Sequence, residues 1–424
     1  LLAAMNSVPD AIVHYVLSRM SNARDVASCT CVSKRWKDCI PYVPALYFPR
    51  NLFDGIPISN ADAIIGRMVA QALRLEELII YCPFSAASLA SWVSLRGRSL
   101  RRLELRVDSI VEKRPLEADV SFGRLDCIGC AERLESLKLW GVCLTTSPRW
   151  SSFEKLCTLE IVGAAFRDTA LSDTIGACPN LTDLALLGCD GVSSFSIDLM
   201  MLEKCRLDFL GPGNRSLCIN CPRLEVLEIQ GFSWILVKQN HCLRKVSISK
   251  TAGRVNVVDT GKLPALEYLS LRGVQWSWNA ISSILQCAYE VKHLVMKIEF
   301  SGDFDRLQPF PPVDLVQFFN SHPKLRIFEI HGALFAALCQ KESLHSLDSK
   351  FLIPCLEEVT VTVRSPLNAE QKLNTLESLV KYSRRLQKMV IRISQMKNCN
   401  DMADDFFEDI CRFRYINNKK VCIE

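Results

Sequence analysis

No apolar stretch of this chain approaches the ~18 residues that a membrane-spanning helix needs, because charges interrupt every hydrophobic segment earlier. No membrane association is therefore expected. A basic tract is missing too: 51 Lys plus Arg stand against 46 Asp plus Glu, a net charge of +5 spread along 424 residues. Neutralising a phosphate backbone takes clustered cations, so nucleic acid is not an expected partner. Histidine is scarce, with six residues, and there is no glycine-rich phosphate loop. A thiol and a base adjoin at His241-Cys242, but adjacency in sequence does not aim a base at a nucleophile. The sequence offers no catalytic constellation and no cofactor site. Leu1 to Ala4 is too short to be a signal peptide, which gives the expectation of an intracellular protein, cytoplasmic or nuclear.

Apolar side chains are plentiful. Hydrophobic residues make up 49% and charged residues 23%, the balance of a chain that folds around a core. Twenty cysteines are diluted over this length and read as reduced, mostly buried small hydrophobes. Cys127-Ile128-Gly129-Cys130 and Cys218-Ile219-Asn220-Cys221 have zinc-ligand spacing, but several repeats separate them and a tetrahedral site needs both pairs to converge. No metal is expected. The acidic run Asp401, Asp404, Asp405, Glu408 and Asp409 reads as a solvated helix face.

Near the N-terminus, Ile12, Val13, Val16, Leu17 and Met20 form two series spaced by four, one broad stripe on a helix opened by Pro9 and Asp10. Asn22 is placed to cap a second short helix carrying Val26, and Ser33 a third carrying Trp36, Cys39 and Ile40. Three short helices over roughly 35 residues bury too little surface to stand alone, so much of the stripe is expected to face another protein. Val8-Pro9-Asp10-Ala11-Ile12, Val16-Leu17 and Cys31-Val32-Ser33-Lys34-Arg35-Trp36 together resemble the F-box, with Val8 in place of the usual leucine. The resemblance implies binding to a Skp-type adaptor, and through it to a cullin-RING core. On that basis Val8, Pro9, Asp10, Ile12, Val16, Leu17, Val32 and Trp36 would contact the adaptor.

Further along, one phrase keeps returning: apolar, two variable residues, apolar, one variable, apolar. It occurs thirteen times, starting at Leu75, Leu100, Leu134, Leu156, Leu181, Leu202, Leu224, Leu243, Leu266, Val291, Leu325, Leu356 and Leu386. The mean spacing of about 26 residues falls in the range of leucine-rich repeats, in which each phrase is a strand and the segment between, often helical, covers the outer face. Ile64, Met68, Gln71 and Ala72 suggest such a helix ahead of the first phrase. The expected fold is α/β: a short three-helix F-box (residues 5–45), a linker and repeat cap (46–74), and a leucine-rich-repeat horseshoe, a parallel-sheet solenoid (75–353). Cys178-Pro179, Cys221-Pro222 and His322-Pro323 each precede a phrase, a habit that resembles plant F-box repeat proteins. Residues 354–424 resemble the FBD region that ends many of those proteins, or are simply further repeats.

The strand side chains that alternate out of the core would form the binding face. Arg102, Glu104, Arg106, Lys138 and Trp140 belong to its first part. In the second part, Lys245, Arg272, His293, Lys297, Lys388 and Arg392 predict one basic patch for an acidic protein substrate, with the proline-bearing segment 301–314 nearby. The family resemblance implies a non-catalytic substrate receptor of an SCF-type ubiquitin ligase. A small-molecule hormone co-receptor, or a scaffold not engaged with a ligase, are the other readings it allows.

Overall fold

In this computed structural model, residues 8–110, 125–238, 240–299, 309–393 and 400–424 are described. The chain divides into two units, Leu1–Phe209 and Leu210–Glu424.

The first unit begins with helices Asp10–Ser18, Ala23–Thr30 and Lys34–Asp38. The capping residues are those the sequence indicates: Asn22 Oδ1 accepts from Arg24 N–H at 3.0 Å, and Ser33 Oγ from Trp36 N–H at 3.4 Å. Strands follow at Ala45–Phe48, Glu77–Ile80, Arg102–Arg106, Ser136–Trp140, Thr158–Val162, Asp183–Cys189 and Lys204–Phe209, all parallel and in that order. Each leucine phrase supplies one strand. Leu78, Leu103, Leu137, Leu159 and Leu184 line up in register and are fully buried.

The first strand, Ala-Leu-Tyr-Phe, lacks the leucine phrase, yet it pairs with Glu77–Ile80. Segment 46–74, expected as a linker and cap, thus carries most of a repeat. Its helix, Ile58–Gln71, buries Ala61, Ile65 and Val69, one position along from the stripe through Ile64 and Met68.

The second unit continues the same parallel pattern through Val226–Gln230, Lys245–Val255, Tyr268–Trp276, His293–Ile298, Ile327–Gly332, Glu358–Val363, Lys388–Ile393 and Val421–Ile423. Beyond residue 354, strands Glu358–Val363, Lys388–Ile393 and Val421–Ile423 pair in parallel with one another. The outer layer here is of two kinds. Helices Trp278–Gln286, Leu315–Ser321 and Ala369–Tyr382 cover part of it, whereas Ser216–Asn220, Trp234–Val237 and Val257–Asp259 form a second parallel sheet. The sequence there alternates, as in Trp234-Ile235-Leu236-Val237, with Ile235 and Val237 buried and Trp234 and Leu236 exposed.

Candidate binding surfaces

The eight N-terminal residues indicated by the sequence separate into two groups. Leu17 and Trp36 point into the module's own core, 1% and 7% exposed, with Val13 and Val26. Val8, Val16 and Val32 are half-buried, and Pro9, Asp10 and Ile12 are exposed, Ile12 at 51%. Tyr15, 62% exposed, joins this outer surface although the apolar spacing did not indicate it. Arg35 Nε lies 2.5 Å from Asp10 Oδ1, and this hydrogen bond holds the carboxyl below its ordinary pKa despite some burial. On its other side the module is tied to the first repeat. Tyr47 N–H donates to Ser21 O at 2.7 Å, and the Arg74 guanidinium lies 5.0 Å from the ring centre of Tyr42, which stacks within the module on His14 at 4.4 Å. Of the stripe expected to face a partner, Val13 and Leu17 are buried within this chain itself.

In the first unit, in-register strands gather an aromatic and charged cluster. Tyr81 stands edge-on to Tyr47 at 5.6 Å and to Trp140 at 6.4 Å, while Lys138 Nζ sits 4.8 Å from the Trp140 ring centre and 2.9 Å from Glu160. Tyr81 Oη donates to Glu104 Oε2 at 2.7 Å, and Arg102 Nε to Glu104 Oε1 at 3.0 Å. Burial works to raise the Glu104 pKa, but these hydrogen bonds and the nearby cations outweigh it and the carboxyl stays below its usual range. Burial and the Glu104 contact push the Tyr81 phenol up to about 12. Tyr47 and Tyr81 lie outside the leucine phrases, so the repeat pattern did not reveal them.

In the second unit, Arg272, Lys297 and His331 are direct neighbours on successive strands, and Lys245, Tyr268 and His293 form a parallel row. The expected single basic patch requires correction. Lys245 Nζ is 2.6 Å from Glu228, Lys297 Nζ 2.9 Å and His293 Nε2 3.6 Å from Glu329, and Arg392 Nε 3.0 Å from Glu424. The face is a ladder of paired charges, because parallel register sets side by side residues distant in sequence. Burial acts to raise the Glu329 pKa, yet Lys297 and His293 hold it low. Among the described residues, Arg272 and Lys388 have no carboxylate partner; Arg272 Nε donates instead to Ser270 Oγ at 3.1 Å. Of the proline-bearing segment, 301–308 lies outside the described residues; beyond it, Phe310 O accepts from Gln340 Nε2 at 2.9 Å.

Cys127 and Cys130 occupy the turn Asp126–Cys130, where burial pushes the Cys127 thiol up to about 11. Cys218 lies on an outer strand and Cys221 is buried at its end. Among the described residues, no three His, Cys, Asp or Glu side chains gather where they could hold a metal, and no helix is long and apolar enough to cross a membrane.

A capped helical module leading into parallel strands, thirteen of them supplied by the leucine phrases, defines the class: an α/β leucine-rich-repeat protein. Over 422 residues, 99% of this chain and the whole of the relative, it is 54% identical to the F-box protein At1g10780 of Arabidopsis thaliana. From the same plant, the probable FBD-associated F-box protein At1g32375 is 26% identical over 60% of this chain and 64% of its own length. The F-box/LRR-repeat protein At3g26922 is 25% identical over 54% of this chain and 75% of its own. No protein-family model matches. The chain belongs to the plant F-box, leucine-rich-repeat proteins.

Proposed function

We propose that this protein is the non-catalytic substrate receptor of an SCF-type ubiquitin ligase. Its N-terminal module binds a Skp-type adaptor, which joins it to a cullin-RING core, and its strand faces hold a protein substrate. The observation that carries the reading is the division of the module's surface. One side is fastened to the first repeat, while Ile12 and Tyr15, flanked by Val8, Pro9 and Val16, leave apolar side chains open to a partner. Ubiquitin transfer then takes place on other subunits. The receptor contributes by holding a substrate lysine near the charged conjugating enzyme, which raises its effective concentration.

Affinity purification with Ile12→Asp tests this. Loss of adaptor, cullin and RING subunits from an otherwise folded chain supports the assignment, and undiminished co-purification refutes it. Removal of the module in a second arm should retain substrate without ubiquitinating it.

A further inference from the structure

At the carboxyl ends of strands His293–Ile298, Ile327–Gly332 and Glu358–Val363 lies a solvent-open pocket of about 190 Å³, lined by Glu299, Gly332, Phe335, Thr362, Arg364 and Lys372 among others. Gly332 keeps its floor free of side chains: φ is +72° and a Cβ would lie 1.9 Å from Ile298 O. Lys372, in the first turn of helix Ala369–Tyr382, is only 8% exposed. Among the described residues its ammonium donates one hydrogen bond, to Ser365 O at 2.7 Å, and has no carboxylate in reach; the Phe406 ring centre is 5.9 Å away. An ammonium has three protons to donate, so a buried one with a single acceptor is poorly compensated for the water it lost. Burial accordingly draws its pKa down. Also lining the pocket, half-exposed Arg364 meets Glu299 at 2.8 Å. Two cations against one carboxylate leave the site one positive charge in excess.

We propose that this pocket binds an anionic group, a carboxylate or a phosphate, whose oxygens accept from the remaining Lys372 protons and from Arg364. The Glu299 carboxylate competes for Arg364, so the incoming anion takes over part of that ion pair. Lys372 supplies an ammonium with protons left to donate, and Arg364 supplies the planar fork that suits two oxygens. The site is independent of adaptor binding, which involves the other unit.

Isothermal titration of the full chain with inorganic phosphate and, separately, with succinate decides the matter, against sodium chloride at matched ionic strength. We expect saturable binding of at least one anion with a dissociation constant of about 1 mM or tighter. The anion that saturates identifies the ligand class. Lys372→Met should abolish it, Arg364→Gln should weaken it about tenfold, and Glu299→Gln should tighten it by freeing Arg364. Arg412→Gln, on an exposed helix surface, serves as the charge control and should change nothing. Should Lys372→Met not fold, the opposite signs of the two substitutions at the Arg364 pair carry the test. The proposal fails if neither anion saturates, if binding survives in folded Lys372→Met, or if Arg412→Gln weakens it equally.

Discussion

Ile12 and Trp36 show how residues that sequence reading grouped together acquire different roles once their burial is known. Ile12→Asp puts a charge on an open apolar surface, so it should weaken adaptor binding at least tenfold, about 1.4 kcal/mol, while leaving the melting curve unchanged. A binding titration paired with thermal melting separates the two effects. Trp36→Ala empties the interior of the module and should destabilise it by about 3 kcal/mol or more. Its adaptor affinity should recover at low temperature, where the module refolds. Persistent loss of affinity in a fully folded Trp36→Ala would instead make the indole a contact residue. Lys250 illustrates another residue-scale feature: it is 1% exposed and donates to Gly213 O, Gly231 O and Ser233 Oγ, so its three protons are all used. That satisfaction contrasts with Lys372 and explains why only the latter suggests a ligand.

Between one repeat and the next, the covalent chain is not the only connection. Buried Asn240 accepts from Cys242 N–H at 2.7 Å and Leu243 N–H at 2.8 Å, and its Nδ2 donates back to Cys221 O at 2.7 Å. One side chain thereby satisfies the backbone at the entry to strand Lys245–Val255 and just past the end of outer strand Ser216–Asn220. Asn240→Ala strips partners from two N–H groups and one carbonyl and should cost about 2–4 kcal/mol, measurable as a lower urea midpoint. A shift under about 0.5 kcal/mol would mean that water replaces the amide. Gly332 marks the corner between strand Ile327–Gly332 and helix Ala333–Leu338, at φ +72° and ψ −133°, a conformation open almost only to glycine. Gly332→Ala adds a clash with Ile298 O to that strain. It should cost at least ~2 kcal/mol, and protection of the Ala333–Leu338 amides from hydrogen exchange should fall with it.

For the whole molecule, two buried histidines contribute to the response to mild acid. Burial lowers the pKa of His322 below 6.5, although carbonyls of Phe318 and Leu285 at its two nitrogens oppose the shift. Burial, then Arg364, lowers that of His331 likewise. As pH falls below 6.5 the unfolded chain therefore takes up protons first, so the contribution present above 6.5 is lost on the way down to the folded values. Urea midpoints should be flat at neutral pH and decline below about 6.5, with a shallower decline in His322→Gln. Midpoints that hold steady down to pH 5 would show that these rings are not kept neutral. Charge pairing also bears on recruitment. Because Lys245, Lys297 and Arg392 already face carboxylates, reversal at unpaired Arg272 should weaken substrate capture more than reversal at Arg392, as read by pull-down at low salt.

The repeat strands and the helix caps were legible in the amino-acid order, since both depend on local chemistry. An apolar residue at alternate positions must face a core, and Asn22 and Ser33 bond to N–H groups two or three residues away. That order left unread the strands Ala45–Phe48 and Val421–Ile423, which lack the leucine phrase and are strands because a neighbour offers them a hydrogen-bonding edge. Tertiary structure alone decided which charges meet and which apolar groups stay open. Glu329 lies 32 residues from Lys297, Tyr81 23 from Glu104, and Lys372 stands against a pocket built from three successive repeats. Those partnerships follow from register and from burial, and both are properties of the stacked repeats rather than of any single one.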